Sequence, residues 1–456
     1  MPNPKKPKRK AAAISELSVE DALAFAVEML KDGNLEPALT ICERILHAVP
    51  GHADALHFRG MGMFQQGRLE EAMASIRLAL EASPTYTDAW NNLGNLHAQS
   101  DQPGEAERAY RRVLELDPKH ADAWNNLATA LKEQHRLEEA EAAVRRALTL
   151  DDKHPDAYHT LGNILRLSKR HAEALEAFRT AMRLRPQHPD SYRRLAAALY
   201  SVGQIEEAAE VYRKWVEIEP DTPYARHMLA ACTGQHVPER AADAFVAHTF
   251  DRFANSFDKV LGDLQYRAPQ LIEQALIEYL GEGTADREVA DAGCGTGLCG
   301  AFLRPYARKL YGVDLSPAMI ERARQRKLQH ADLPVYDELT VAELTGFFHE
   351  RASAFDIIIS ADTLCYFGSL LDPLTAMSQA LRPGGIVSFT VEQASETEAP
   401  QGFVIHPHGR YSQSETYVRQ VLKQANFAAK LVHTVDLRME RGQPVTGLLV
   451  LAKVQR

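Results

Sequence analysis

A 34-residue period runs through the first half of this chain and restricts its fold more than any other feature. Prolines mark the period at Pro50, Pro84, Pro118, Pro186 and Pro220, and Asp152 takes the one missing place. An alanine repeats in step with them, at Ala38, Ala72, Ala106, Ala140, Ala174 and Ala208. Such a period is typical of stacked units, because one short unit cannot bury its apolar face alone.

Each period predicts two antiparallel helices. Trp124 and Leu127 share one face of a first helix, and the small Ala128 lets the second helix approach closely. A proline then ends the second helix. We predict six units, over residues 19–52, 53–86, 87–120, 121–154, 155–188 and 189–222, and a seventh first helix from Pro223 that caps the stack.

The pattern W-x2-L-G-x2-Y, A-x3-F and P in these units resembles the tetratricopeptide repeat (TPR), although His97 stands where the pattern has tyrosine. The resemblance implies an all-α superhelix over 18–234 whose concave wall binds a protein or peptide. Asn92 and Asn126 occupy equivalent positions, so their amides can form a ladder for a peptide backbone. The alternative is that both side chains are solvated or cap neighbouring turns.

Composition limits the partners and the compartment. The chain carries 52 basic and 61 acidic residues, and the first ten residues hold five of the basic ones. We expect a disordered basic tail over 1–17, with nucleic-acid contact restricted to a weak one through this tail. No apolar run reaches the ~18 residues of a membrane span, so we expect no membrane contact. Five scattered cysteines without a CxxC pair predict a reducing cytoplasm and no metal site.

A different pattern follows the repeats. We predict connecting helices over 235–282, and from residue 283 onward short β-type runs alternate with helical ones. This alternation indicates a parallel sheet with helices on both faces. The last two strands are joined by the short segment RGQP, so we expect them to form an antiparallel edge. The chain is therefore predicted to be a multi-domain protein, an all-α array followed by an α/β fold over 283–456.

Ligands bind at the carboxyl ends of parallel strands, which directs attention to the sequence DAGCGTG at 291–297. Its three glycines let the main chain pass close to a ligand. Asp314 ends the next strand, where a carboxylate can hold two ribose hydroxyls. Glu343 follows the third strand and can accept from an adenine amino group.

Four segments in this order, DAGCGTG, GVDLSPAMI, FDIIISADTL and LRPGG, resemble the class I S-adenosylmethionine-dependent methyltransferases over roughly 240–456. The resemblance implies a Rossmann-like fold and S-adenosyl-L-methionine as cofactor, with Asp314 at the ribose and Ala361 beside the reacting centre. Glu343 departs from the usual aspartate and reaches further. The other implied contacts are Asp291, Gly293, Cys294 and Gly295 at the methionine part, Leu315 and Met319 beside the adenine, and Ala342 at its edge.

Alternative interpretations concern the cofactor and the base. Residues 295–300 also satisfy GxGxxG, as in nicotinamide-binding folds, but Asp291 nearby would repel a pyrophosphate. His406 and Tyr411 are weak candidates for a catalytic base, and the alternative is that they form ordinary loop hydrogen bonds. Tyr266 is a candidate to close over the cofactor, and simple packing is its alternative.

We therefore expect a cytoplasmic methyltransferase whose helical repeats recruit a protein or peptide acceptor. Two alternatives remain open. One is a non-catalytic adaptor with a methyltransferase-like partner domain, and the other is a small-molecule methyltransferase that uses its repeats for oligomerisation.

Overall fold

The computed structural model describes residues 17–328, 333–440 and 442–455. All but the last residue of the predicted tail over 1–17 lies outside the described residues. The chain forms two compact units that divide between Ala198 and Leu199. The second helix of the sixth repeat therefore belongs to the C-terminal unit. The division between the units lies 36 residues before the predicted end of the array at residue 234.

The N-terminal unit consists of helical hairpins in the predicted register. Each first helix has 13 residues and each second helix has 14. The helices are α1 (Val19–Lys31), α2 (Leu35–Ala48), α3 (Ala53–Gln65), α4 (Leu69–Ala82), α5 (Thr87–Gln99), α6 (Pro103–Leu116), α7 (Ala121–Glu133), α8 (Leu137–Leu150), α9 (Pro155–Leu167), α10 (His171–Leu184) and α11 (Pro189–Ser201), which crosses the division.

Two recurring contacts explain the period. A Cβ on Gly162 would lie 2.6 Å from the ring of Phe178, so the small residue allows the aromatic side chain of the second helix to pack against the first. The indole Nε1 of Trp124 donates to the carbonyl of Pro118 six residues earlier, at 3.0 Å. The aromatic side chain thus ties its own helix to the turn that precedes it, which is why proline and aromatic recur together.

The C-terminal unit begins with helices and continues as an α/β fold. Its first helices include the predicted cap α13, which ends at Gly234 in the left-handed conformation. The helices before the sheet are α12 (Ile205–Ile218), α13 (Pro223–Thr233), α14 (Asp243–Phe253), α15 (Phe257–Asp263) and α16 (Ala268–Leu280).

Nine strands of the described residues form one sheet. They are β1 (Arg287–Ala292), β2 (Ala307–Asp314), β3 (Glu338–Val341), β4 (Phe355–Ser360), β5 (Leu381–Gln393), β6 (Phe403–Ile405), β7 (Tyr411–Gln413), β8 (Phe427–Glu440) and β9 (Gln443–Val454). The first five lie parallel in the order β3-β2-β1-β4-β5, and β8 and β9 form the predicted antiparallel pair, with β9 against β5. The short hairpin of β6 and β7 was not predicted.

Helices cover both faces of the sheet, as predicted. One face packs against α16, α17 (Gly300–Leu303) and α18 (Pro317–Gln325), with Ile272 and Leu276 of α16 fully buried. The other face packs against α19 (Leu344–His349), α20 (Leu371–Ala380) and α21 (Glu415–Gln424). No helix among the described residues is both long and apolar enough to cross a bilayer.

The capping helix belongs to this same unit through direct contacts. The ring nitrogen Nε2 of His227 in α13 lies 2.8 Å from the carbonyl oxygen of Gly409, and the hydroxyl of Tyr411 donates to the carbonyl of Pro238 at 2.8 Å. The segment after α13 also contacts the loop between β4 and α20, since the carbonyl of Glu239 accepts hydrogen bonds from the amides of Gly368 and Ser369.

Candidate active site

A cavity of about 240 Å³ lies at the carboxyl ends of the parallel strands in the C-terminal unit. The strand order reverses beside β1, which places the cavity at the switch point where α/β sheets bind ligands. Its wall includes eight of the predicted cofactor residues, namely Tyr266, Gly293, Gly295, Asp314, Leu315, Ala342, Glu343 and Ala361.

The glycine loop forms the floor of this cavity. Gly293 has a φ of +75° and Gly295 a φ of +53°, a region that side chains rarely adopt. A Cβ on Gly293 would collide with the side chain of Thr363, and one on Gly295 would find only Phe257 within 4 Å, at 3.6 Å. The loop therefore presents bare main chain to the cavity between β1 and β4.

Asp314 is held in place by the main chain around it. The amide of Gly295 donates to its Oδ2 and the amide of Ser316 to its Oδ1, each at 2.9 Å. Burial raises the pKa of Asp314, while these hydrogen bonds act in the opposite direction. The carboxylate is thus oriented before any ligand arrives, and each oxygen retains capacity to accept a further hydrogen bond.

Glu343 lies at the β3 end of the cavity and caps helix α19. Its Oε2 accepts from the amide of Gly346 at 2.8 Å, and its Oε1 pairs with the guanidinium of Arg240 at 2.9 Å. Although burial acts in the opposite direction, the amides of Gly346 and Thr345 and the charge of Arg240 hold the pKa of Glu343 below its usual value. The carboxylate is ionised at neutral pH.

Helices α14 and α15 cover the cavity with aromatic rings. Phe250, Phe253 and Phe257 all line it, and the ring of Phe250 lies 5.5 Å from that of Tyr366 on the opposite wall. Polar contacts fasten the cover: Asp251 Oδ1 accepts from the hydroxyl of Ser316 at 2.5 Å.

Three of the predicted cofactor residues do not line the cavity. Met319 is fully buried, and Cys294 packs in the apolar cluster beneath the sheet. Asp291 is 1% exposed; its Oδ2 accepts from the hydroxyl of Tyr336 at 2.6 Å, and its Oδ1 has no partner. Burial raises the pKa of Asp291 to about 7. These three side chains are therefore buried in the fold and do not reach the cavity wall.

The two weak candidates for a base also lie outside the cavity wall. Tyr411 is fully buried, and its hydroxyl donates to the Pro238 carbonyl. His406 lies 2.8 Å from the hydroxyl of Ser412 through Nε2 and stacks on His408. Each of these side chains therefore has a hydrogen-bond partner outside the cavity.

The structure adds a partly buried group of charged side chains that the sequence did not reveal. Asp362, Arg410 and Arg438 line the end of the cavity beyond Ala361, and Glu392 and Glu440 lie behind them. These residues come from segments far apart in the chain, so no local pattern marks them. The position of Asp362, directly after the residue that follows β4, was the one available signal.

The charges of the wall fit a cationic ligand better than a phosphate. Four carboxylates and three guanidinium groups line the cavity, namely Asp243, Asp314, Glu343 and Asp362 against Arg240, Arg410 and Arg438. The helix after the glycine loop, Gly300–Leu303, has only four residues. A dinucleotide fold places its pyrophosphate at the N-terminus of the helix after the glycine loop. Nearby carboxylates favour a positively charged group instead. Within the described residues no group of ligating side chains fits a metal ion.

Comparison with known proteins assigns both halves of the chain. Residues 13–255, more than half of the chain, match the TPR family described as cilia and flagella-associated protein 70 C-terminal domain. The chain belongs to this family. Residues 290–387 match a family described as methyltransferase domain, and they include the glycine loop and Asp314. The protein is therefore a TPR array fused to a methyltransferase domain, as the sequence patterns predicted.

Relatives of the methyltransferase domain cover about a third of this chain. Malonyl-[acyl-carrier protein] O-methyltransferase of Salmonella typhimurium is 30% identical over 145 residues, which are 32% of this chain and 52% of that protein. Methyltransferase-like protein 27 of Homo sapiens is 32% identical over 155 residues, 32% of this chain and 58% of that protein. The chain thus spans little more than half the length of these two relatives.

The repeats also have solved structural neighbours. The structure of pilF from Pseudomonas aeruginosa is 28% identical, with a TM-score of 0.35, and the match covers 39% of this chain and 81% of that one.

Proposed function

We propose that this protein transfers a methyl group from S-adenosyl-L-methionine to a protein or peptide acceptor held by its repeats. The observation that carries the proposal is Asp314, a half-buried carboxylate that two amides orient at the carboxyl end of β2, beside Gly293 and Gly295 in the cavity wall. The match of residues 290–387 to a methyltransferase domain supports the same chemistry.

Different residues of the cavity contact different parts of the proposed ligand. Asp314 accepts hydrogen bonds from the two ribose hydroxyls, since both of its oxygens retain free lone pairs. Ala342 and Glu343 meet the edge of the adenine, with Leu315 against its face. Gly293 and Gly295 pass under the methionine part, and Tyr266 closes the cavity from above.

When bound, S-adenosyl-L-methionine supplies a methyl group that its positive sulfur has already activated. The protein then has to align the acceptor with that methyl and exclude water. The apolar cover of Phe250, Phe253 and Phe257 serves the second purpose, because these rings replace solvent over the cavity. Alignment falls to the wall at Ala361 and Asp362, which lies at the β4 end.

A groove of the N-terminal unit supports the proposed recruitment of a polypeptide. It has a volume of about 560 Å³ and is lined mainly by first helices of consecutive repeats. Asn92 and Asn126 line it, but both amide nitrogens are engaged: Asn92 contacts His57 at 2.8 Å, and Asn126 donates to Asn91 at 3.2 Å and to Asn95 at 3.3 Å. We propose that a bound peptide backbone donates to the side-chain oxygens of Asn92 and Asn126.

A small-molecule acceptor is the second candidate function, because the β4 end of the cavity is enclosed by the buried side chains of Arg438 and Glu392. All five cysteines are unpaired, which supports the proposed cytoplasmic location. Incubating the full chain with methyl-labelled donor and a cell lysate separates the candidates. We expect label on a protein band; label only in the low-mass fraction favours the second candidate.

Binding of the donor is tested separately. We expect titration calorimetry to detect binding of S-adenosylmethionine to the full chain. Absence of binding, together with retention of a polypeptide partner by the repeats, would favour the non-catalytic adaptor instead.

A further inference from the structure

Helix α15 lies over the cavity without a buried core of its own to hold it there. None of its seven residues, Phe257–Asp263, is buried. Its first residue, Phe257, lines the cavity, and the ring lies 3.6 Å from the position that a Cβ on Gly295 would take. A helix this short is not stable alone, and one that buries no side chain opens unless other contacts hold it.

Asp258, the second residue of α15, supplies such contacts. Its Oδ1 accepts from the hydroxyl of Thr296 at 2.5 Å, and its Oδ2 pairs with the guanidinium of Arg326 at 2.5 Å. The Nε of Arg326 in turn donates to the carbonyl of Thr296 at 2.8 Å. We call these three residues, Asp258, Thr296 and Arg326, the clasp. The clasp joins α15 to the glycine loop and to the residue that follows α18.

The clasp and the Phe257 ring act on adjacent residues of the glycine loop. Phe257 directly precedes Asp258, and Gly295 directly precedes Thr296. The amide of Gly295 also donates to Asp314. Asp258 itself does not line the cavity. A change at Asp258 therefore reaches the ring over Gly295 through the clasp, without a direct contact with the bound ligand.

The hydrogen bond to Thr296 is the stronger half of the clasp. Thr296 is 3% exposed, so its hydroxyl needs a partner within the protein. A hydrogen bond to a carboxylate is about twice as strong as one between neutral groups. The ion pair of Asp258 with Arg326 is partly exposed on both sides, and pairs of that kind contribute little.

Two earlier residues also fasten the cover, but they contact a different element. Asp251 accepts from the hydroxyl of Ser316 at the start of α18, and Asn255 accepts from the guanidinium of Arg322 within α18. Neither of these contacts reaches the glycine loop. Of these three cover residues, Asp258 is the one that joins the cover to the loop.

We propose that Asp258 is a positioning residue for the methyl donor, because the clasp holds the Phe257 ring over Gly295, at the methionine part of the proposed ligand. The proposal rests on the proposed methyl transfer and adds a residue that acts without touching the donor. Without the clasp α15 opens, and the donor binds only to the fraction of molecules whose cover is closed. The apparent affinity then falls in proportion to that fraction.

The test substitutes both ends of the hydrogen bond and uses S-adenosylhomocysteine as the probe in titration calorimetry. We expect Asp258→Ala and Thr296→Val each to weaken binding at least about fivefold, since a hydrogen bond to a charged group changes an equilibrium by more than that. The double variant should lose no more than Asp258→Ala alone, because both changes remove the same bond. Thr296→Ser keeps the hydroxyl and should lose less than Thr296→Val. The control Asp263→Ala removes an exposed carboxylate from the same helix and should leave the affinity unchanged.

Hydrogen–deuterium exchange of the ligand-free chain separates this role from a general loss of stability. We expect Asp258→Ala to speed exchange over residues 243–264 and to leave exchange in β1 and β4 unchanged. Unchanged exchange over 243–264, unchanged affinity in Asp258→Ala, or single losses that multiply in the double variant would each overturn the proposal. Faster exchange throughout the sheet would also overturn it, because Asp258 would then stabilise the whole unit.

Failure of the unsubstituted chain to bind S-adenosylhomocysteine refutes the proposed function instead. The exchange experiment needs no ligand, so it still decides whether Asp258 holds the cover closed.

Discussion

Replacing Asp314 by asparagine tests the two carboxylate oxygens that we expect to bind the ribose hydroxyls. The substitution keeps the shape of the side chain but removes its charge and exchanges one acceptor oxygen for a donor. Hydrogen bonds to a charged group contribute about 1.5–3 kcal/mol each. Losing one such bond to a ribose hydroxyl and weakening the other amounts to about 3 kcal/mol, which is roughly a 100-fold loss of affinity.

The same substitution should leave the fold intact. Burial raises the pKa of Asp314, so the folded protein already disfavours its charged form, and removing that charge relieves a cost. Against this gain, the amides of Gly295 and Ser316 must share one oxygen instead of two. The two effects oppose each other, and we expect the melting temperature to move by no more than about 3 °C.

Titration calorimetry with S-adenosylmethionine measures the affinity, and Asp372→Asn is the matched control for loss of a carboxylate elsewhere in the same unit. The reasoning is refuted if Asp314→Asn binds the donor as tightly as the unsubstituted chain. It is also refuted if affinity falls only in step with a large loss of thermal stability, since the residue would then be structural.

Three further substitutions test the account of stability. Because the pKa of Asp291 is raised to about 7, its stabilising contribution is complete below pH 3.8 and is lost as pH rises to about 7. Asp291→Asn should therefore increase the free energy of unfolding by up to about 4 kcal/mol at pH 8 and hardly at pH 4. Equal shifts of the urea midpoint at both pH values would contradict this. Arg438→Met leaves Asp362 without its ion pair, and Glu392 and Glu440 with Arg410 alone. It should cost about 3–5 kcal/mol in urea unfolding, compared with less than about 1 kcal/mol for the exposed Arg419→Met. Gly162→Ala places a methyl group against the ring of Phe178 and should lower the free energy of unfolding by about 1–3 kcal/mol. The control Gly104→Ala has open space around it and should leave the thermal midpoint unchanged or higher. Similar losses of stability in both variants would contradict the packing argument for the period.

The helical half was predictable because its information is local and repeated. Each small residue of the period packs against an aromatic or aliphatic side chain about 16 residues later, as Gly162 packs against Phe178. A single repeat carries the whole rule, and the other repeats confirm its register. The first helix of each unit therefore begins within a residue or two of where the sequence places it.

The site divides into a part that the sequence marks and a part that it does not. Gly293, Gly295 and Asp314 follow strand ends, so the chain order itself brings them to one edge of the sheet. Arg438 and Glu392 reach Asp362 only because β8 and β5 lie in the same sheet through β9, and no local pattern gives this order. Asp291 and Cys294 lie in the same segment as Gly293 and Gly295, but their side chains are buried and do not line the cavity, which spacing alone does not specify.

A crystal structure of the full chain with S-adenosylhomocysteine tests the central claim most directly. The account predicts the ribose hydroxyls on the oxygens of Asp314, the adenine between Leu315 and Glu343, and the sulfur above Gly293 and beside Ala361. Cofactor density elsewhere, or the same cavity occupied by a nicotinamide dinucleotide with its phosphates on the glycine loop, would contradict it.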